Sequence, residues 1–173
     1  MQNISVWLVI AVAVGAVAFL FYYKKKLNGM AFAALPLMTF YISFVLTITL
    51  IARKVTANPQ YQLTVFWSYK AIQAGQTDLK AEIFWNVVLF IPIGILLAML
   101  LPSKRSWLAI ILGMLISSGI ELTQLYLHRG LFEFDDIIHN TLGTIIGVIL
   151  FLIVRKIVFL IKSKSTKYDS EKW

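Results

Sequence analysis

Apolar residues fall in five long, nearly uninterrupted runs, without the regular polar interruptions of half-buried surface elements. A helix rises about 1.5 Å per residue, so a run of about 20 apolar residues matches the hydrocarbon thickness of a bilayer. The runs extend from Ile4 to Tyr23, Ala31 to Ala52, Ile83 to Leu101, Trp107 to Leu127 and Asp136 to Phe159. They predict an all-α membrane protein built as a five-transmembrane-helix bundle. Pro36 stands near the start of the second run, where its missing N–H is best tolerated. Pro102 to Ser106 form a tight connection, and the fourth and fifth helices should be antiparallel neighbours. The bundle fills residues 1–161 as one domain.

The one long connection, residues 55–82, is aromatic: Tyr61, Phe66, Trp67 and Tyr69 lie in it. Such residues favour the headgroup region, so the segment reads as an interfacial anchor or as a partly inserted lid over an outer cavity. Residues 162–173 read as a basic, solvated and partly disordered cytoplasmic tail.

Charge orients the bundle. Cytoplasmic loops are enriched in Lys and Arg. The first run has no positive charge before it and no small-residue cleavage site ahead of Lys24, so it reads as a retained helix with its N-terminus outside. With that choice only Arg53, Lys54, Lys70, Lys80 and Arg129 of the 16 basic residues fall outside. The N-terminus is therefore expected outside and the C-terminus in the cytoplasm, with Arg53 and Lys54 on the disfavoured side.

Composition narrows the class further. Among 173 residues, 60% are hydrophobic and the mean hydropathy is +0.81, which excludes an ordinary soluble domain. The net charge of +8 comes from short basic clusters flanking apolar runs, an arrangement that sets topology; no nucleic-acid partner is expected. The absence of cysteine excludes disulfides and thiolate metal sites.

Ionisable groups inside a span are expensive unless they face the bundle interior, so each is a candidate for function. At 100° per residue Ser117, Glu121, Gln124 and His128 share an arc of about 60° on the fourth helix. Asp136, Asn140, Gly143 and Gly147 do the same on the fifth. Glycines four apart allow close helix contact, so this second face should press on a neighbour, the fourth helix being the nearest candidate. Counted inward, Asn86, Glu121, Gln124 and Asn140 lie about 5 to 9 Å below the outer ends of their helices. Three spans thus offer polar groups at one level. Arg129, Glu133 and Asp135 stand at the mouth. Arg129 could pair with Glu121, Asp136 or an anionic ligand, and Asp135 and Asp136 could cap the fifth helix.

These residues carry a resemblance. Glu121-x-x-Gln124, Arg129-Gly130, Asp135-Asp136, His139-Asn140-Thr141-Leu142-Gly143 and Gly147 resemble the C-terminal signature of the VanZ-like membrane protein family. Asn86-Val87-Val88-Leu89-Phe90-Ile91-Pro92-Ile93-Gly94 is similar to its other characteristic segment, and Phe66-Trp67-Ser68-Tyr69 to its loop. The match covers roughly residues 60 to 150 and departs at Glu133, where the family usually has aspartate. Asn86, Glu121, Gln124, Arg129, Asp136 and Asn140 match the family's polar positions. The resemblance implies a bacterial cell membrane and an association with resistance to the glycopeptide antibiotic teicoplanin, without supplying a mechanism.

The leading expectation is a site near the outer leaflet for the polar head of a lipid, a lipid-linked envelope intermediate or a lipoglycopeptide. Arg129 would grip an anionic group, with Asn86, Gln124, Asp135 and Asn140 as further ligand contacts. Glu121 and Asp136 would orient Arg129 or act on a bound hydroxyl; in an enzyme they would be the catalytic pair, with Glu121 as general base. No nucleophile or cofactor motif accompanies them, and no cofactor is expected. The competing reading is a cluster that only fixes helix packing. A metal set of Glu121, His128, Asp136 and His139 is a weaker alternative that lacks H-E-x-x-H spacing, and no metal is expected.

Overall fold

The computed structural model describes residues 15–16, 19–20, 22–23 and 29–170. Most of the predicted first span, and Lys24, Lys25 and Lys26, lie outside the described residues. Its described aromatics Phe19 and Tyr22 pack on Phe32. The described helices are α1 (Gly29–Leu46), α2 (Trp67–Gln73), α3 (Leu79–Leu100), α4 (Leu108–Tyr126) and α5 (Phe134–Ser170). Four stretches among the described residues are long and apolar enough to cross a membrane: Gly29–Ile51, Leu79–Leu100, Leu108–Tyr126 and Phe134–Ser163. The chain is thus a predominantly helical, multi-pass membrane protein.

Two boundaries differ from the hydropathy reading because helix formation does not stop where apolarity stops. α3 begins at Leu79, four residues before the apolar run, and so takes Glu82 into its first turn. α5 continues to Ser170 through the stretch that reads as a tail.

α1 ends in a widened turn, Thr47–Ile51, closed by the Ala52 N–H on the Thr47 carbonyl at 2.9 Å. Ser43, Thr47 and Thr49 each return a hydroxyl to the carbonyl four residues back, at 2.6, 2.8 and 2.8 Å. Such back-bonding competes with the helical ladder and bends it.

Lipid tails are as apolar as leucine, so close packing rather than water exclusion drives association of the spans. The glycine face of α5 meets α3 more than the predicted α4. A Cβ on Gly143 would collide with the Val87 carbonyl oxygen, and one on Gly147 with that of Ile91. The physical reason is a second groove on α3: Gly94 receives the backbone of Thr144. Fully buried Thr144 also fills the notch left by Gly113 on α4, so α5 is gripped from both sides. Beyond this contact Val45, Phe90, Ile93, Leu97, Ala98, Ala109, Ile120 and Val148 form the apolar core.

The long connection is not free. Gln60–Gln62 (β1) pairs in parallel with Leu131–Glu133 (β2), Tyr61 opposite Phe132. The Thr56 N–H and hydroxyl both donate to the His128 carbonyl, at 2.8 and 3.2 Å. A small sheet thereby straps this segment across the connection between α4 and α5.

Candidate functional site

The polar stripes of α3, α4 and α5 meet beneath this strap. Asn86 Nδ2 donates to Asp136 Oδ1 at 2.6 Å, joining α3 to α5. One turn further along, Asn140 Nδ2 donates to Ser117 Oγ at 2.9 Å, joining α5 to α4. Glu121 stands one turn from Ser117, as Asp136 does from Asn140, and its Oε2 accepts the Glu133 backbone N–H at 3.0 Å. Glu121 and Asp136 are 2% and 5% exposed. The Ser117 to Asn140 bond is therefore the floor of a buried polar cluster, with carboxylates as its wall.

Two acids join them. Glu82, Glu133 and Asp136 bring one carboxylate oxygen each within 4.8 Å of one another. Glu82 falls in the connection when the span is bounded by apolarity alone; four residues before Asn86 on a continuous helix, it shares that residue's face. Glu133, outside the spans, accepts from Trp67 Nε1 at 2.9 Å. Burial, the largest cause, raises its carboxyl from the ordinary 4.5 to about 7; the Trp67 hydrogen bond opposes this, and the charge of Glu82 adds to it.

Arg129 is not the cation of this cluster. Its guanidinium donates to the carbonyls of Leu50 and Ile51 at 3.1 and 3.0 Å, while Gln124 Nε2 donates to that of Thr49 at 3.1 Å. Both side chains serve the last carbonyls of the α1 span, which the widened turn leaves unpaired and which carry the negative end of the helix dipole. The positive charge acting on Glu121, Glu133 and Asp136 is Arg53, whose side chain runs against Gly130.

Asp135 turns away as well. It accepts from the Phe66 N–H at 2.5 Å, the Ser68 N–H at 3.0 Å and the Ser68 hydroxyl at 2.5 Å. It thus caps α2 rather than its own helix and holds Phe66 in a left-handed backbone conformation, φ 60°, that costs a non-glycine residue about 1 to 2 kcal/mol. His139 Nε2 lies 3.0 Å from the Tyr69 hydroxyl. The aromatic segment is consequently seated on the cluster through Trp67, Ser68 and Tyr69.

The fourfold metal set of Glu121, His128, Asp136 and His139 is not gathered as one cluster among the described residues. His128 lies in a turn with φ 54°, and His139 faces Tyr69. The group with ligand spacing is Glu82, Glu133 and Asp136. Among the described residues, three buried side-chain atoms lack a partner: Gln124 Oε1, His139 Nδ1 and Asn140 Oδ1. Gln124 and Asn140 stand one turn beyond Glu121 and Asp136, on opposite sides of the carboxylate level.

The cluster is therefore rich in acceptors and poor in donors. Its donor and acceptor chemistry suits a cation, an amine or a hydroxylated group. A family model described as VanZ/LLP1 matches residues 9–155. No curated protein and no solved structure matches the chain.

Proposed function

This chain belongs to the VanZ/LLP1 family, and we propose that its polar cluster receives the polar head of a lipid, a lipid-linked envelope component or a lipoglycopeptide from the outer leaflet. The distribution of Lys and Arg favours the outward placement. The observation that carries the reading is the meeting of Asp136, Glu121 and Glu133 with Asn86, one turn above the bond from Asn140 to Ser117. Chains buried in lipid do not keep several carboxylates together without a task, because each is expensive to desolvate.

In this reading Glu121 and Asp136 accept hydrogen bonds from ligand hydroxyl or amine groups and are placed to take or return a proton. Asn86 orients the Asp136 carboxylate, Asn140 ties α5 to α4 through Ser117 one turn below, and the aromatic segment shields the head group from water. Arg129, Gln124 and Asp135 support the frame around the cluster. A role in glycopeptide resistance, in the cell membrane of a bacterium, would follow from withholding or altering an envelope intermediate.

A second reading, that the cluster only assembles the bundle, is favoured by Asp135, a carboxylate wholly engaged in holding α2. Mass spectrometry of lipids that co-purify from native membranes separates the two. One head group or polyprenyl species enriched with the wild-type chain, and lost with Glu121→Gln in folded protein, supports the head-group site. A bulk lipid profile for both overturns it.

A further inference from the structure

We infer that Glu82, Glu133 and Asp136 form a binding site for a hard divalent cation, of the Mg2+ or Ca2+ class, at the wall of the cluster.

The spacing suits such an ion. Oxygens bound to one cation lie at most twice the bond length apart, about 4.2 Å for Mg2+ and about 4.6 to 5.2 Å for Ca2+. The three carboxylates each offer an oxygen, all mutually within 4.8 Å. They come from two helices and the strand before the second helix, a multi-segment arrangement that holds ligands apart at fixed distances. The donor set is entirely oxygen, which selects hard cations over Zn2+ or Cu2+.

Two further observations favour a positively charged ligand. Glu121, 2% exposed, is pressed against the cluster by its bond to the Glu133 N–H, and among the described residues no ion pair neutralises it. Arg53 is the cation acting on this group from among its neighbours, so one guanidinium stands beside four carboxyl groups. In addition, Asn140, 5% exposed, gives its Nδ2 to Ser117 and keeps an unpartnered Oδ1 at the floor of the cluster, one turn from Asp136. A carbonyl oxygen in that place suits a cation or its bound water.

The outer ligand is also reachable. Glu82 is half-buried and makes no hydrogen bond among the described residues, so an ion can gain it without breaking an existing contact. Trp67, bonded to Glu133, stands beside the ion and reports on it.

The inference goes beyond the head-group reading and stands on its own geometry. Full-length protein in detergent, stripped with chelator, is titrated with Mn2+ and followed by electron paramagnetic resonance, with Mg2+ and Ca2+ as competitors. One saturable Mn2+ per chain is expected, displaced by Mg2+ or Ca2+ and accompanied by a fluorescence change that is lost in Trp67→Phe. Glu82→Gln, the substitution least able to disturb folding, should weaken binding at least about tenfold, and Asp169→Asn should leave it unchanged. Absence of saturable binding at millimolar Mn2+, or equal binding by Glu82→Gln, overturns the site. Mn2+ binding by protein that carries no specific lipid supports the site while removing the head-group reading, so the two fail separately.

Discussion

Asn86 on α3 and Asp136 on α5, 50 positions apart, are joined side chain to side chain at 2.6 Å. The amide gives the carboxylate one donor where water is scarce, and the acid in turn fixes the height of α3 against α5. Removing the amide while keeping the acid leaves a buried carboxylate without its donor, which typically costs about 1 to 3 kcal/mol or more. Asn86→Ala should lower the thermal midpoint in detergent. Asp136→Asn, which keeps an acceptor for Asn86, should fold and insert yet lose the co-purifying ligand. Equal thermal loss in both would mean that the acid is there for packing.

Helix contact supplies a second test. Alanine at Gly143 or Gly147 places a methyl group against main-chain oxygen on α3, which cannot swing aside as a side chain does. Each substitution should destabilise the bundle by about 1 to 3 kcal/mol. Gly119 on α4 faces open space, and Gly119→Ala should cause no loss. Thermal unfolding of the three variants side by side measures the difference.

The seat of the aromatic segment rests on Asp135. Asp135→Ala deletes three hydrogen bonds to a carboxylate, each worth about 1.5 to 3 kcal/mol. Trypsin should then cut at exposed Lys70 and Lys80 many times faster than in the wild type, while the spans stay protected. Ser68→Ala, which removes one of the three bonds, should fall between. Unchanged cleavage would show that β1 and the contacts of Trp67 and Tyr69 hold the segment without Asp135.

The two arginines should separate cleanly. Arg129→Gln loses bonds to the Leu50 and Ile51 carbonyls and should lower stability by about 1 kcal/mol or more, with the remaining folded protein retaining its ligand. Arg53→Gln removes the positive charge beside the carboxylates and should raise Mn2+ affinity in the chelator-stripped protein. Ligand loss in Arg129→Gln with no change in thermal midpoint would restore Arg129 to the binding site.

Much of this architecture is a local property of the chain. Long apolar runs specify spans, because transfer into hydrocarbon depends on each segment's own composition. The 100° step of a helix puts Glu121 on the face of Ser117 and Asp136 on the face of Asn140 without reference to any partner, so the level of the cluster is readable from residue order. The recurring polar residues carry the family likeness for the same reason. What each face meets is a different matter. That the glycines of α5 press chiefly on α3 depends on Gly94 and Thr144 fitting together across 50 positions. Arg129 reaches the end of α1 and Arg53 the acids because long side chains extend several ångströms in directions that spacing along the chain does not encode. Asp135 leaves the cluster, and Glu82 enters it, through the seating of a loop and the start of a helix. Both are settled by tertiary contacts: Asp135 follows the N–H groups of Phe66 and Ser68, and Glu82 is carried in by the packing of α3 against α5.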